Sequence, residues 1–354
     1  MFRTILTSLI LTCLLSAQDY HWPIRAQQSL SATFCEYRTG HLHAGIDIKT
    51  WGEMEVPCLA IADGHIERIQ IGYKGYGRGV FVRLQDGNLA VYGHLELFTP
   101  ALEKLIREKQ KELERYTIRI EFTPDEFPVK AGKLIGYSGT SGTEHPHLHF
   151  EIRDSSRQAL NPQLFYPRIK DTRPPILDEV QLIQISPEDR INNSKKSVII
   201  DLDKTDKQVT ASGPFRVAIN AHDRANGTYN KYSIYQGEIF VDDDLIYSRV
   251  FDQVPLKLTD YVDQLYPGRR GKRGWRFMSM FTRNDSCLFP FTPPELTGTI
   301  NPEGLSTLKI RVADIKGNQE IKTLDFRKQN LAFWSIENSD GQYTITRSYP
   351  ENAY

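Results

Sequence analysis

His145-Pro146-His147-Leu148-His149-Phe150-Glu151-Ile152 is the stretch around which the rest of the chain is read. Side chains two residues apart in an extended strand leave from the same face. His147 and His149 therefore project together, while Leu148 and Phe150 face a core. Two imidazoles side by side on a rigid strand begin a metal site, and a zinc ion needs about two more ligands from elsewhere. An upstream stretch, His43-Ala44-Gly45-Ile46-Asp47, offers them. In a strand, His43 and Asp47 are four apart and share a face. A helix would also align them, but Gly45 and the shortness of the run argue against one. With one histidine of the later pair they supply two nitrogens and one carboxylate oxygen. That is a catalytic donor set, which leaves a position open for water. A third segment, Tyr92-Gly93-His94-Leu95, adds a histidine at the end of an apolar strand.

These three segments, in this order, resemble the lysostaphin-type (LytM-like) zinc metallopeptidases, which cut peptide bonds in bacterial peptidoglycan. The family pattern is His-x-x-x-Asp, then a histidine in a Tyr-x-His-Leu-like segment, then His-x-His. Gly136-Tyr137-Ser138-Gly139-Thr140-Ser141-Gly142 is similar to the Gly/Ser/Thr-rich lead-in to the last strand. Glu144-His145 departs from the pattern, since a small Gly-rich turn is usual there; the loop shape and substrate preference depend on it. The resemblance covers roughly residues 30–165. It implies one Zn2+ held by His43, Asp47 and His149. It implies His147 as general base, and His94 as the partner that orients water or stabilises the oxyanion, while the residues themselves leave the division between the two histidines open. Zinc with two neutral imidazoles and one carboxylate keeps net positive charge and brings the pKa of bound water to about 7. Arg38, Tyr92 and His145 are the candidate substrate contacts. Glu151 is read as lying on the opposite strand face from His149 and is not counted as a ligand. His41 is a minor candidate ligand; His21, His65 and His222 read as structural.

The implied activity is that of an exported zinc endopeptidase acting on cross-link or stem peptides of peptidoglycan. The alternative is a non-catalytic wall-binding or regulatory module. Members of that kind lack one or more ligands, and this chain lacks none. A protease of glycine-rich proteins would use the same site with a different groove.

Met1 to about Ala17 reads as a signal peptide: Arg3, the apolar run Ile5–Leu15, then small residues. The run is too short for a membrane span, and Leu11-Thr12 makes a poor lipobox before Cys13. The 44 basic and 44 acidic residues cancel, so the basic footprint of a nucleic-acid binder is missing. Peptidoglycan peptides are the expected partner, in the periplasm or outside the cell. Cys35, Cys58 and Cys287 remain after the leader is removed. A Cys35–Cys58 disulfide and small buried thiols are both open readings.

The fold expected is mostly β: an antiparallel sheet or barrel-like peptidase domain over 18–170 with an inserted helix, then an immunoglobulin-like β-sandwich over 177–330. Asp63-Gly64 and Asp86-Gly87 are read as hairpin turns. The glycine-rich loop 72–79 lacks a phosphate-binding pattern and is read as the rim of a peptide groove. Leu102, Leu105, Ile106 and Leu113 recur at helical spacing within 99–116. Asp171-Thr172-Arg173-Pro174-Pro175 marks a linker, 171–176. Beyond it, the alternation in Phe215–Ala221 and Leu308–Val312, ended by Asp/Asn/Gly turns, suggests the sandwich. Asp242-Asp243-Asp244 is read as a hairpin turn in preference to calcium ligands, and Arg269–Arg273 as a solvated loop. The tail 331–354 is read as adding a strand.

Overall fold

The computed structural model describes residues 20–204, 208–282 and 296–327, with the backbone of the strands Phe333–Ser339 and Gln342–Ser348. The expected leader and Cys287 lie outside the described residues. Contacts divide the chain into two compact units. One is built on Ile46–Ser156 with Pro162–Ile169. The other is built on Lys170–Tyr354, with Ser31–Gly45 and Arg157–Asn161.

In the first unit the strand His147–Arg153 lies between Ile46–Lys49 and Leu89–Gly93, antiparallel to both. The sheet continues through Arg78–Leu84 and Gly64–Ile71 to Ile118–Glu121. Leu148, Phe150 and Ile152 are fully buried, as are Ile46 and Ile48 on the neighbouring strand. One alternating set of side chains thus anchors the strand and leaves the histidine face to the site. A second sheet, of Pro57–Leu59, Leu134–Ser138 and Leu95–Phe98, completes the β framework. Asp86-Gly87 closes the hairpin between Arg78–Leu84 and Leu89–Gly93, with Gly87 at φ 91°. Asp63-Gly64 does not close one, because Pro57–Leu59 pairs with Leu134–Ser138 and Gly64–Ile71 pairs with Arg78–Leu84. Gly64 is required for another reason: a Cβ there would sit 2.1 Å from the Arg83 carbonyl oxygen.

The inserted helix spans Pro100–Glu112. Pro100 occupies its first turn, where a missing N–H costs nothing, and Leu102 and Ile106 are buried. Each contributes about 2 kcal/mol through burial. Leu113 falls just past the last turn and is exposed. Among the described residues no helix is long and apolar enough to cross a membrane.

The second unit holds two sheets. One runs Val198–Asp201, Ile176–Gln184, Phe215–His222, Met278–Ser279; the other runs Gln208–Val209, Gln319–Phe326, Thr307–Ala313, Gln236–Val241, Asp244–Val250. Val180, Leu182, Val217 and Ile219 from the first share one core with Ile239, Tyr247, Ile310 and Leu324 from the second. Phe34, Cys35 and Leu42 join this core, and Gln158–Leu160 pairs with Gln253–Pro255. These long-range contacts draw the two short segments out of the 18–170 span. Asp242 and Asp243, at φ 46° and 76°, form the turn between Gln236–Val241 and Asp244–Val250. In the Arg269–Arg273 loop, Lys272 pairs with Asp201 and Asp203, and Arg273 with Asp178. That loop is therefore tied down and not simply solvated. Phe333–Ser339 and Gln342–Ser348 pair with each other as a hairpin of their own. Cys35 and Cys58 are buried free thiols, and burial raises both pKa values.

Candidate metal centre

His149 lies directly across from Asp47 in the antiparallel register, and its Nδ1 is 3.0 Å from Asp47 Oδ1. His43 stands four residues ahead of Asp47, but not on one continuous strand with it. His41–Leu42 and Ile46–Lys49 are separate strands. The His43 N–H donates to the Glu36 carbonyl, and the His43 carbonyl accepts from Cys35 N–H. A bend through Ala44-Gly45, in place of strand pleat, sets the histidine. His43, Asp47 and His149 each present one ligand atom, all within 4.8 Å of one another.

The donor set fits zinc. His43 Nδ1 lies 2.7 Å from the Thr33 carbonyl, which can only accept. The proton is therefore on Nδ1, and Nε2 carries the coordinating lone pair. His149 is placed between two carboxylates, with Nε2 2.9 Å from Glu151 Oε1. Burial opposes its protonation, yet Asp47 and Glu151 outweigh burial and raise its pKa to about 9. The Nδ1–Asp47 gap thus favours positive charge, either a proton or a metal ion that displaces the proton on binding.

His147 Nδ1 is 2.8 Å from the His145 carbonyl, and its Nε2 is 3.6 Å from Asp47 Oδ1. His94 has the left-handed φ of 60°, a conformation costing on the order of 1–3 kcal/mol in a non-glycine residue. It is held there by its N–H to the Tyr76 carbonyl at 2.8 Å, and by Nδ1 to the Ser141 carbonyl at 2.7 Å. Its ring centroid is 4.8 Å from that of His147 and 5.7 Å from that of His149. Burial, then the two neighbouring imidazoles, depress its pKa to about 3, so it stays neutral. The three segments therefore do meet.

The remaining expectations divide. His145 is exposed and contributes its carbonyl to His147. Arg38 pairs with Glu36 at 3.2 Å. Tyr92 is fully buried, donating its hydroxyl to the Leu59 carbonyl at 2.9 Å. It is a core residue and does not face substrate. His41 is exposed and lies outside the ligand group.

Glu151 requires a correction. It is two residues past His149, so both share a face, and it accepts from His149 Nε2. Only 1% exposed, it also accepts from Tyr76 OH at 2.7 Å and Arg153 Nε at 2.6 Å. Tyr76, from the glycine-rich loop, and Arg153 were not singled out in the sequence. The i+2 spacing was the available signal for Glu151 and, continued by two more, for Arg153. Burial works against the Glu151 charge, but Arg153, His149 and Tyr76 prevail and lower its pKa to about 2. The carboxylate thereby fixes the tautomer and tilt of the candidate ligand His149. Glu151→Ala is expected to weaken zinc binding by about 10–100-fold. It should also lower stability by about 3–5 kcal/mol, since Arg153 is left buried without its carboxylate. Chelator competition and urea unfolding would measure the two effects, and unchanged zinc affinity would contradict the assignment.

Comparison with known proteins adds an independent line. The chain is 28% identical over 149 residues to the murein hydrolase activator NlpD of Escherichia coli, covering 42% of this chain and 31% of that protein. It is 31% identical over 125 residues to the DD-carboxypeptidase/endopeptidase Mpg of Neisseria meningitidis, covering 35% of this chain and 23% of that protein. About two fifths of the chain is thus similar to lysostaphin-type, LytM-like peptidases. The catalytic domain of lysostaphin from Staphylococcus simulans aligns with 43% of this chain and 96% of its own, at 21% identity and a TM-score of 0.27. No model of a known protein family matches the chain. The chain spans two fifths or less of the length of the curated relatives it matches.

Proposed function

We propose that the lysostaphin-type domain is an exported zinc endopeptidase that hydrolyses cross-link or stem peptides of bacterial peptidoglycan. The supporting observation is the convergence of His43, Asp47, His94, His147 and His149. His43 Nε2, Asp47 and His149 Nδ1 would hold the ion. Zinc at such a site supplies Lewis acidity that activates water and polarises a peptide carbonyl.

The ring protons support a division of the remaining roles. His147 Nδ1–H points at the His145 carbonyl, so Nε2 is the basic nitrogen. It takes the proton from the attacking water and delivers it to the leaving amine. His94 carries its proton on Nδ1, toward Ser141, which leaves Nε2 an acceptor. It therefore orients water by accepting an O–H, and has no proton there to offer an oxyanion. The second unit we read as an immunoglobulin-like sandwich that accompanies the peptidase.

A second reading has its own support. Relatives at 28–30% identity are named murein hydrolase activators, which suits a regulatory module without turnover. Digestion of purified peptidoglycan, with and without a chelator and with mass spectrometry of the products, separates the two. The enzyme reading expects soluble peptides cut at one bond type, lost with chelator and restored by zinc. Intact peptidoglycan with zinc-loaded, folded protein would leave the activator reading.

A further inference from the structure

The second unit contains another group of carboxylates, Asp171, Asp223 and Asp314, whose oxygens lie within 4.8 Å of one another. Asp223 ends the strand Phe215–His222, and its backbone pairs with Tyr232 at 2.9 and 3.0 Å. Asp314 ends the strand Thr307–Ala313. Its Oδ1 accepts from the amides of Lys316 and Asn318, and its Oδ2 from Asn318 Nδ2 at 2.6 Å. Asp171 is fixed by the Arg173 amide at 3.0 Å and by Asn318 Nδ2 on its carbonyl at 3.4 Å. Asp223 and Asp314 are only 6% and 4% exposed.

Proximity of acids alone would mean little. The informative atom is Asp223 Oδ1, which is buried and has no hydrogen-bond partner among the described residues. A carboxylate oxygen in that position needs a positive neighbour or a proton. Lys316 and Arg173 act on the cluster electrostatically, but neither gives Oδ1 a hydrogen bond. Burial, joined by the charges of Asp171 and Asp314, raises the Asp223 pKa to about 8.

We propose that Asp171, Asp223 and Asp314 form a calcium site that ties the linker segment to two strand ends of the second unit. The donors are all oxygen, which selects a hard cation. Coordination habit then selects among hard cations. Magnesium keeps most of its waters and usually takes one or two carboxylates, whereas calcium accepts several carboxylates in flexible geometry. Three converging carboxylates therefore favour calcium.

The test uses the full chain, stripped with chelator and reloaded with zinc, so that it does not depend on the peptidase reading. Calcium titration followed by calorimetry is expected to give a Kd of about 10⁻⁴–10⁻³ M, as in extracellular modules. Unfolding should shift upward by several degrees in calcium and much less in magnesium. Asp223→Asn should weaken calcium binding at least tenfold while zinc content stays unchanged. Asp171→Asn, at a less buried position, is the second variant should the first fail to fold, and should act in the same direction. No binding up to about 10 mM calcium would overturn the site, as would wild-type affinity in a folded variant. Stability that responds to pH but not to calcium would show that Asp223 holds a proton instead, and would overturn it equally.

Discussion

Replacing His149 with alanine is expected to lower bound zinc from about one ion per chain to a small fraction of that, and to abolish release of soluble peptides from peptidoglycan. Loss of an outer partner costs a metal site about 10–100-fold, and loss of a direct ligand should exceed it. His149 also separates two carboxylates, Asp47 at 3.0 Å and Glu151 at 2.9 Å. Without the imidazole both carboxylates lose that contact, although Glu151 keeps Arg153, so the variant should also be less stable. His147→Ala provides the contrast: zinc should stay near one ion per chain while turnover is lost. Metal analysis of both variants beside the digestion assay checks the pair. A folded His149→Ala protein that keeps its zinc would sink the ligand assignment.

A second large loss is expected at a residue that supplies no ligand atom, Gly77. It adopts φ 60°, and a Cβ there would lie 2.1 Å from the Ser141 carbonyl oxygen and 2.3 Å from its carbon. No side chain can be accommodated without moving one backbone or the other. That same Ser141 carbonyl holds His94 Nδ1, and the Ser141 hydroxyl accepts from the Arg78 amide at 2.9 Å. Gly77→Ala should therefore displace His94 by roughly an ångström, and a misplacement of that order can cost about 10²-fold in rate. Asp47 and His149 sit on paired strands that the clash does not touch. The expected signature is zinc retained and turnover reduced about a hundredfold. Activity within threefold of the parent would show that the loop contact does not position His94.

The sequence made the ligand strand legible because a period of two is the simplest geometric rule in proteins. Its burial also had to follow, since Leu148 and Phe150 occupy the other phase. The inserted helix and the Asp86-Gly87 hairpin were legible for the same local reasons. What escaped was nonlocal. Asp63-Gly64 has the chemistry of a turn, but the strands it separates take partners elsewhere, and no local signal reveals that. Thr33 accepts the Ser233 amide on its hydroxyl across 200 residues, so the affiliation of Ser31–Gly45 was hidden from any local reading. Tyr76 reaches Glu151 only because the glycine-rich loop folds back on the sheet. Glu151 itself is the instructive case, because the rule that found His149 also applied two residues later.

The location of His149 on an interior strand has one more implication. Backbone amides hydrogen-bonded on both sides exchange with solvent mainly when the whole unit opens, so this ligand is not subject to local fraying. Variation around such a centre therefore falls to the surrounding loops, 72–79 and 139–146, which can be lengthened or re-lettered while the strand His147–Arg153 stays still.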